Sequence, residues 1–274
     1  MGYLGPKGGY SELFAKKSDP SAELVPLSGL SQIFRSVANG SVDTAVVPIE
    51  NSLDGLIGAT VELLYKFKGR LHVVGSGRIE IEHALGALPG HAKLARIISR
   101  DTALNQCSDY LDMHYPDVRR IGTQSSAIGM EMIVREQLYD MAVISSKEGL
   151  KSYGLQVIAE KIANEPYNVT RFLVLGQGEG ERGAQNTTAI GLRPQKDYPG
   201  FLLHVLKILC EQHGLNLSSI HSRPAGMHQY WFYLEIDGHA SDSEVSAALS
   251  ALAEELPGCE LLLFGSFPVT DFTG

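Results

Sequence analysis

At 274 residues, with 44% hydrophobic and 20% charged side chains, the chain can bury a substantial core and has room for more than one domain. Its formal charge of -8 comes without any block of lysine or arginine, which removes the basic footprint that binding a nucleic-acid backbone requires. No apolar run is long enough to span a bilayer, and the opening MGYLGPKGGYSE lacks the charged-then-apolar layout of a signal peptide, so no membrane association and a cytoplasmic location are expected.

In chain order, Gly5-Pro6-Lys7-Gly8-Gly9-Tyr10-Ser11 reads as a glycine-rich turn between a short strand and a helix. Its backbone N–H groups can hold an anion, but the Gly-Lys-Ser/Thr ending of a phosphate-binding P-loop is missing, and an ordinary turn is the competing reading. Leu30, Ile33, Phe34 and Val37 then repeat at helical spacing. The apolar strand Ala45 to Ile49 ends abruptly in Glu50, Asn51 and Ser52, with Gly55 and Gly58 before a helical pattern at Val61 to Leu64. Strand ends of this kind border the ligand crevice of an open α/β sheet, where Asn51 and Ser52 can donate to a carboxylate; a plain strand-to-helix turn with an N-cap is the alternative.

Further apolar runs at Leu71 to Val74 and Met141 to Ile144 bracket Thr123, Ser125 and Ser126, which precede a helical stretch from Ala127 to Leu138. Those hydroxyls face an anion or simply cap the helix. Thr170-Arg171-Phe172 opens the run through Leu175 and places a hydroxyl, a guanidinium and an aromatic ring at one strand end. A guanidinium can grip a carboxylate through two parallel bonds, although a surface strand end has the same composition. The alternation of short strands and helices argues for α/β architecture with buried, largely parallel strands.

Periodicity stops at 176–183, where glycines and charges mark a linker. Beyond it the order is strand (Thr188 to Leu192), helix (Pro199 to His213), strand (Leu217 to Ser222), strand (Tyr230 to Ile236), helix (Ser243 to Leu256) and strand (Leu261 to Phe267). That is βαββαβ, the ferredoxin-like order, with both helices on one face of the sheet. Pro199 is expected to open the first helix, and Ser241 with Glu244 to form a capping box on the second.

Three well-separated cysteines (Cys107, Cys210, Cys259) suggest neither disulfides nor a metal knuckle, only reduced and mostly buried thiols. The nine histidines have no compact ligand spacing, so no metal is expected. Neither a Gly-x-Ser-x-Gly elbow nor a Ser-x-x-Lys pair occurs.

Taken together, GYLGPKGGYSE at 2–12, VPIENSLDGLIGATVELL at 47–64, YGLQVI at 153–158 and NVTRFLVL at 168–175 resemble the prephenate dehydratase family. Pro199-Gly200-Phe201-Leu202 and the segment from Leu215 to Pro224 resemble an ACT domain. The resemblance implies a two-lobed, periplasmic-binding-protein-like catalytic region at 1–176, with lobe one at about 1–74 and 153–176 and lobe two at about 75–152. It also implies a hinge near Gly75 and Tyr153, a linker at 177–186 and an ACT regulatory domain at 187–274.

The implied reaction is decarboxylation and dehydration of prephenate to phenylpyruvate, driven by aromatisation and needing no cofactor. Thr170 is then expected to assist the departing hydroxyl, Arg171 to bind carboxylate or hold the motif, and Phe172 to pack beneath the site. Asn51, Ser52, Thr123 and Ser125 are candidate substrate contacts, with Glu50 orienting the Asn51 loop. Gly200, Phe201, Leu202, His221, Ser222, Arg223 and Pro224 are the effector-site candidates, L-phenylalanine being the implied effector of a homodimer or homotetramer. The chain departs from the family pattern where Arg100-Asp101-Thr102 replaces His-Pro-Gln, where Phe201 replaces a small residue, and where His221 replaces a glutamate. These departures keep two alternatives open: a family member redirected to a non-aromatising decarboxylation or to amide or ester hydrolysis, and a catalytically silent amino-acid-binding regulator.

Overall fold

The computed structural model describes residues 1–273 except Asp197, Met227 and His228. Lobe one begins with β1 (Gly2–Leu4), α1 (Tyr10–Ser18), β2 (Val25–Leu27), α2 (Leu30–Ala38), β3 (Thr44–Asn51), β4 (Gly55–Leu56), α3 (Gly58–Lys66) and β5 (His72–Glu80). Lobe two holds β6 (Ala84–Ala87), β7 (Arg96–Ser99), α4 (Asp101–Gln106), α5 (Ser108–His114), β8 (Arg119–Gly122), α6 (Ser126–Glu136), β9 (Met141–Ser145), α7 (Lys147–Ser152) and β10 (Gln156–Ala159). Its sheet runs β10-β6-β9-β7-β8. The chain then returns as β11 (Val169–Gly176), antiparallel between β3 and β5 in the sheet of lobe one.

Both sheets are mixed rather than largely parallel. In lobe one, β1 runs parallel to β2 and β3, whereas β11 re-enters from lobe two in the opposite sense. The crossings lie further along the chain than Gly75 and Tyr153. Gly75 is inside β5, paired with Val174, and β10 still belongs to lobe two through its pairing with β6. The lobes are therefore joined around 81–83 and 160–168, because the ladder bonds of β5 and β10 continue past the expected hinges.

The C-terminal part comprises β12 (Asn186–Arg193), α8 (Phe201–Leu206, continued by a π-helical turn at Lys207–Gln212), β13 (Leu217–Gly226), β14 (Gln229–Asp237), α9 (Ser243–Glu255) and β15 (Glu260–Asp271). Its strands lie in the order β13-β14-β12-β15, all antiparallel, which is the ferredoxin-like arrangement. Two local expectations shift. The first helix starts at Phe201 after a left-handed Gly200 (φ 92°), two residues beyond Pro199, and α9 is preceded by Asp242, whose carboxylate accepts from the His239 N–H at 2.7 Å. Ser241 is diverted to His239 and Arg182, so the Ser241–Glu244 capping box does not form.

Strand alternation in β14 explains how this part docks. Phe232, Leu234 and Ile236 face α8 and α9, packing with Val205, Leu209, Val245 and Leu252. Trp231 and Tyr233 face the other way and join the core of lobe one with Ile49, Leu173 and Phe267. Both faces of the ferredoxin-like sheet are thus covered, and β15 also runs parallel beside β5 through Val269↔Ser76. Burial of this apolar face, at about 25 cal/mol per Å², is the main force holding the two parts together.

Candidate active site

The site begins with a bulge. Phe172 pairs with Pro48 and Arg171 with Glu50, leaving Ile49 as an extra residue on β3. Proline has no N–H to give the ladder, so an irregularity beside Pro48 is where the strand loses least. The stranded Ile49 carbonyl accepts from the Ile57 N–H at 2.7 Å, folding β4 back over the strand end. After the bulge Thr170 lies opposite Asn51 and Arg171 opposite Glu50.

Thr170 and Phe172 face a cleft of about 800 Å³ between the lobes, lined also by Asn51, His83, Arg100, Thr102, Gln106, Ser125, Ser126, Ser145 and Asn168. Phe172 forms its floor, stacked on Phe14 with ring centroids 4.7 Å apart. A chain of hydrogen bonds crosses the cleft base. Asn51 Oδ1 accepts the backbone N–H groups of Leu53 and Asp54 at 2.9 and 3.1 Å, which fixes that amide's orientation. Its Nδ2 must then donate, to Thr170 Oγ1 at 3.0 Å and Asn168 Oδ1 at 2.7 Å. Asn168 Nδ2 in turn donates to Gln106 Oε1 at 3.2 Å, and that oxygen lies 2.8 Å from His83 Nε2. His83 accordingly carries its proton on Nε2.

This geometry leaves the Thr170 hydroxyl hydrogen unspent. Its oxygen accepts from Asn51, so its O–H can donate to a group in the cleft. His83 is buried, and that burial pushes its imidazole below the ordinary value, with the Gln106 hydrogen bond opposing. Burial likewise holds Tyr10, which donates to the Glu82 carbonyl at 2.5 Å, in its neutral form. Among the described residues lining the cleft, Arg100 is the one guanidinium and no lysine joins it.

Several sequence expectations move. Arg171 points to the opposite face of the sheet from Thr170, is buried, and donates to both carboxylate oxygens of Glu235 on β14 at 2.9 and 2.8 Å. Burial opposes its charge, but the facing Glu235 outweighs that and raises Arg171 above the ordinary arginine value. Glu50 accompanies it on that face at 3.3 Å. Ser52 accepts the Val169 N–H at 3.0 Å, and Thr123 donates to the Ser125 carbonyl at 3.0 Å, so both hydroxyls serve their loops and neither lines the cleft. Ser125 does both, lining the cleft and capping α6 through the Ile128 N–H at 3.3 Å.

The glycine-rich turn is occupied by the protein itself. Gly8 N–H donates to the buried Glu12 carboxylate at 2.5 Å; burial disfavours that charge, but Lys16 and the Gly8 bond hold it below the usual carboxylate value. A side chain at Gly149 of α7 would strike the Gly8 carbonyl at 2.4 Å, so glycine there permits the close approach of the two lobes. The turn is an inter-lobe contact more than an anion cradle.

In the C-terminal part Phe201 is buried in the core, edge-on to Tyr198 and stacked on Phe232, both at 5.6 Å. Gly200 and Leu202 flank it at the start of α8. His221, Ser222, Arg223 and Pro224 lie on β13, at the end of the sheet order and paired to β14 alone. Arg223 is committed to lobe one, paired with Glu62 and packed over Gly58. Cys107 is buried, with its thiol pushed up to about 12 by desolvation, but Cys210 is exposed, contrary to the expectation of mostly buried thiols. Sequence reading passed over His83, Gln106 and Asn168 as site residues, although Asn168 opens the segment that carries Thr170.

The two lobes enclose an α/β cleft floored by an aromatic stack, with one guanidinium and an oriented hydroxyl among the described residues lining it. Among the described residues lining it, no serine is hydrogen-bonded to a histidine or carboxylate. The family model for prephenate dehydratase matches residues 1–180, and the chain belongs to the prephenate dehydratase family. It is 32% identical to arogenate dehydratase/prephenate dehydratase 2 of Arabidopsis thaliana over 98% of this chain and 72% of that protein. The structure of prephenate dehydratase from Arthrobacter aurescens in complex with L-Phe superposes with a TM-score of 0.88, at 29% identity, over 97% of this chain and 88% of the other. A protein described as a quorum-quenching acylase shares the fold at a TM-score of 0.86, with 21% identity over 98% and 97% of the chains. No helix among the described residues is long and apolar enough to cross a membrane.

Proposed function

We propose that the protein is a prephenate dehydratase and that Thr170 supplies the hydrogen bond to the departing ring hydroxyl. As the ring carboxylate leaves as carbon dioxide, its C–C bonding pair enters the ring and expels the hydroxyl, giving phenylpyruvate. Negative charge builds on the leaving oxygen, and a donor fixed in advance at that point is worth more than one that must reorient. The observation that carries this reading is the Asn51 to Thr170 bond of 3.0 Å, which orients the threonine as donor. Threonine is too weak an acid to surrender its proton at neutral pH, so its part is to bind the developing charge. Arg100 supplies the countercharge for a substrate carboxylate; of the two parts the sequence offers Arg171, carboxylate binding or holding the motif, its bonds to Glu235 and Glu50 support the second.

The C-terminal part is read as an ACT domain that senses L-phenylalanine. The ferredoxin-like strand order and the overall likeness to the phenylalanine-bound Arthrobacter protein support this. The free side of β13 offers a second copy a strand to pair with, in keeping with a cytoplasmic homodimer or homotetramer. Incubation with prephenate, and separately with arogenate, tests the reading by phenylpyruvate or phenylalanine formation, each with and without added L-phenylalanine. Prephenate turnover suppressed by L-phenylalanine is the expected result. Turnover of arogenate alone would move the substrate assignment, and no turnover of either would overturn the dehydratase reading in favour of a family member redirected to another reaction or a silent amino-acid-binding regulator.

A further inference from the structure

Thr170 and Arg171 are consecutive on β11, so their side chains leave the sheet on opposite faces. Asn51 and Glu50, their partners on β3, divide in the same way. One face therefore carries the Thr170–Asn51 pair of the cleft and the other carries Arg171 with Glu50, one strand thickness away. Onto that second face the C-terminal domain lowers a single buried carboxylate, Glu235, which takes two bonds from Arg171 at 2.9 and 2.8 Å. Tyr233 fixes the carboxylate by donating to its Oε1 at 2.6 Å.

We propose that Glu235 is a positioning residue for the dehydratase reaction, acting through Arg171 to hold the ends of β3 and β11 where Thr170 and Asn51 meet the substrate. The inference rests on the reading of Thr170 as the hydroxyl that assists departure.

Stability alone does not account for the arrangement. A buried ion pair is matched or surpassed in stability by apolar side chains of similar volume, because desolvating two charges offsets most of their attraction. Elsewhere this interface already has an apolar core, through Trp231, Tyr233 and Phe267, and its other ion pairs, Arg223 with Glu62 and Lys68 with Glu260, lie at its more exposed rim. The pair is also breakable. Glu50, Arg171 and Glu235 line a cavity of about 750 Å³ between lobe one and the C-terminal domain, with Arg78, Arg182 and Asp242 on its wall. Water can enter there, so a small displacement of β14 exchanges Glu235 for solvent and leaves Arg171 to Glu50 alone. The bond from Arg171 to Glu50 crosses the same strand pair that presents Asn51, so this exchange re-sets the strand end rather than a remote surface. A ligand that shifts the C-terminal sheet thereby reaches Thr170 through one side chain, and does so only as far as it favours one of the two arrangements.

The test uses the full-length protein. Glu235→Gln keeps the shape and removes the charge. It is expected to lower kcat about 10- to 100-fold with KM little changed, since slight misplacement of a reacting group has effects of that size. Inhibition by L-phenylalanine should weaken in parallel, and amide hydrogen exchange at 50–52 and 169–171 should quicken while that of lobe two stays unchanged. If Glu235→Gln folds poorly, the double substitution Arg171→Met with Glu235→Leu restores a packed interface without charge, and the same losses are expected. Wild-type kcat and wild-type exchange at those residues in either folded variant would overturn the inference, by showing the pair to be packing alone. Absence of prephenate turnover in the wild type would instead sink the functional reading, and the exchange comparison would still decide whether Glu235 holds the strand ends.

Discussion

Asn51 Nδ2 lies 3.0 Å from Thr170 Oγ1, and it must be the donor because Asn51 Oδ1 already accepts the Leu53 and Asp54 N–H groups. Asn51→Asp preserves both backbone bonds but replaces the donor with an acceptor, so the Thr170 hydrogen turns towards residue 51 and away from substrate. The expected outcome is a fall in kcat of roughly 10²–10³-fold, the usual cost of losing one oriented donor, with little change in KM. Steady-state phenylpyruvate formation by the purified variant checks it.

Replacing the hydroxyl itself separates orientation from packing. Thr170→Ser retains the O–H and should keep kcat within about tenfold, the loss coming from a looser rotamer. Thr170→Val removes the hydroxyl but leaves Asn51 Nδ2 with Asn168 Oδ1 and the Val169 carbonyl as acceptors, so it costs about 0.5–1.5 kcal/mol of stability while removing the activity that depends on the bond. Thermal melts beside kinetic assays on the two variants would show whether the shape or the hydroxyl matters.

Arg100 is the guanidinium of the cleft, so Arg100→Gln is expected to act on binding. Loss of a charge-assisted hydrogen bond to a carboxylate is worth about 1.5–3 kcal/mol, or roughly a 10- to 100-fold rise in KM. The corresponding Arg171→Gln change should behave differently, lowering kcat and the melting temperature before KM. Initial rates across a range of prephenate concentrations distinguish them, and equal KM values for Arg100→Gln and wild type would remove Arg100 from the carboxylate site.

His83 gives the site a pH limit. Its folded value is depressed below 6.5, first by burial, with the Gln106 bond opposing. Above 6.5 the imidazole is neutral in both folded and unfolded chains, and its contribution is fully present. As pH falls below 6.5 the unfolded chain takes up a proton that the folded chain refuses, so stability declines until the folded imidazole itself titrates. The melting temperature of the wild type should drop from pH 7 towards pH 5 by a component that His83→Gln lacks. Superimposable pH profiles for the two proteins would refute the assignment.

Much of the fold could be read because it is written locally. The helical spacing of Leu30, Ile33, Phe34 and Val37 and the short apolar strands need only neighbouring residues to declare themselves, and the βαββαβ order follows from such elements in succession. The abrupt polar ending of Val47-Pro48-Ile49-Glu50-Asn51-Ser52 marked a strand end at a crevice for the same reason, and Asn51 lines the cleft. Strand alternation even required that Thr170 and Arg171 part company, although not which of the two faces was the cleft.

That choice belonged to the tertiary structure, because a strand's two faces are equivalent until something covers one. Here β14 brings Glu235 to the Arg171 side, 64 residues further along the chain, and so leaves the other side to the cleft. The chain Thr170, Asn51, Asn168, Gln106, His83 joins residues up to 119 positions apart and exists only where the lobes meet. Short-range pattern and propensity laid out many of the elements and, beyond the linker, their order, while the family showed in the resemblance of whole segments such as VPIENS and NVTRFLVL. Which polar groups share a site was decided by tertiary packing, because a hydrogen bond between distant residues has no periodicity to announce it and forms only when burial brings them together.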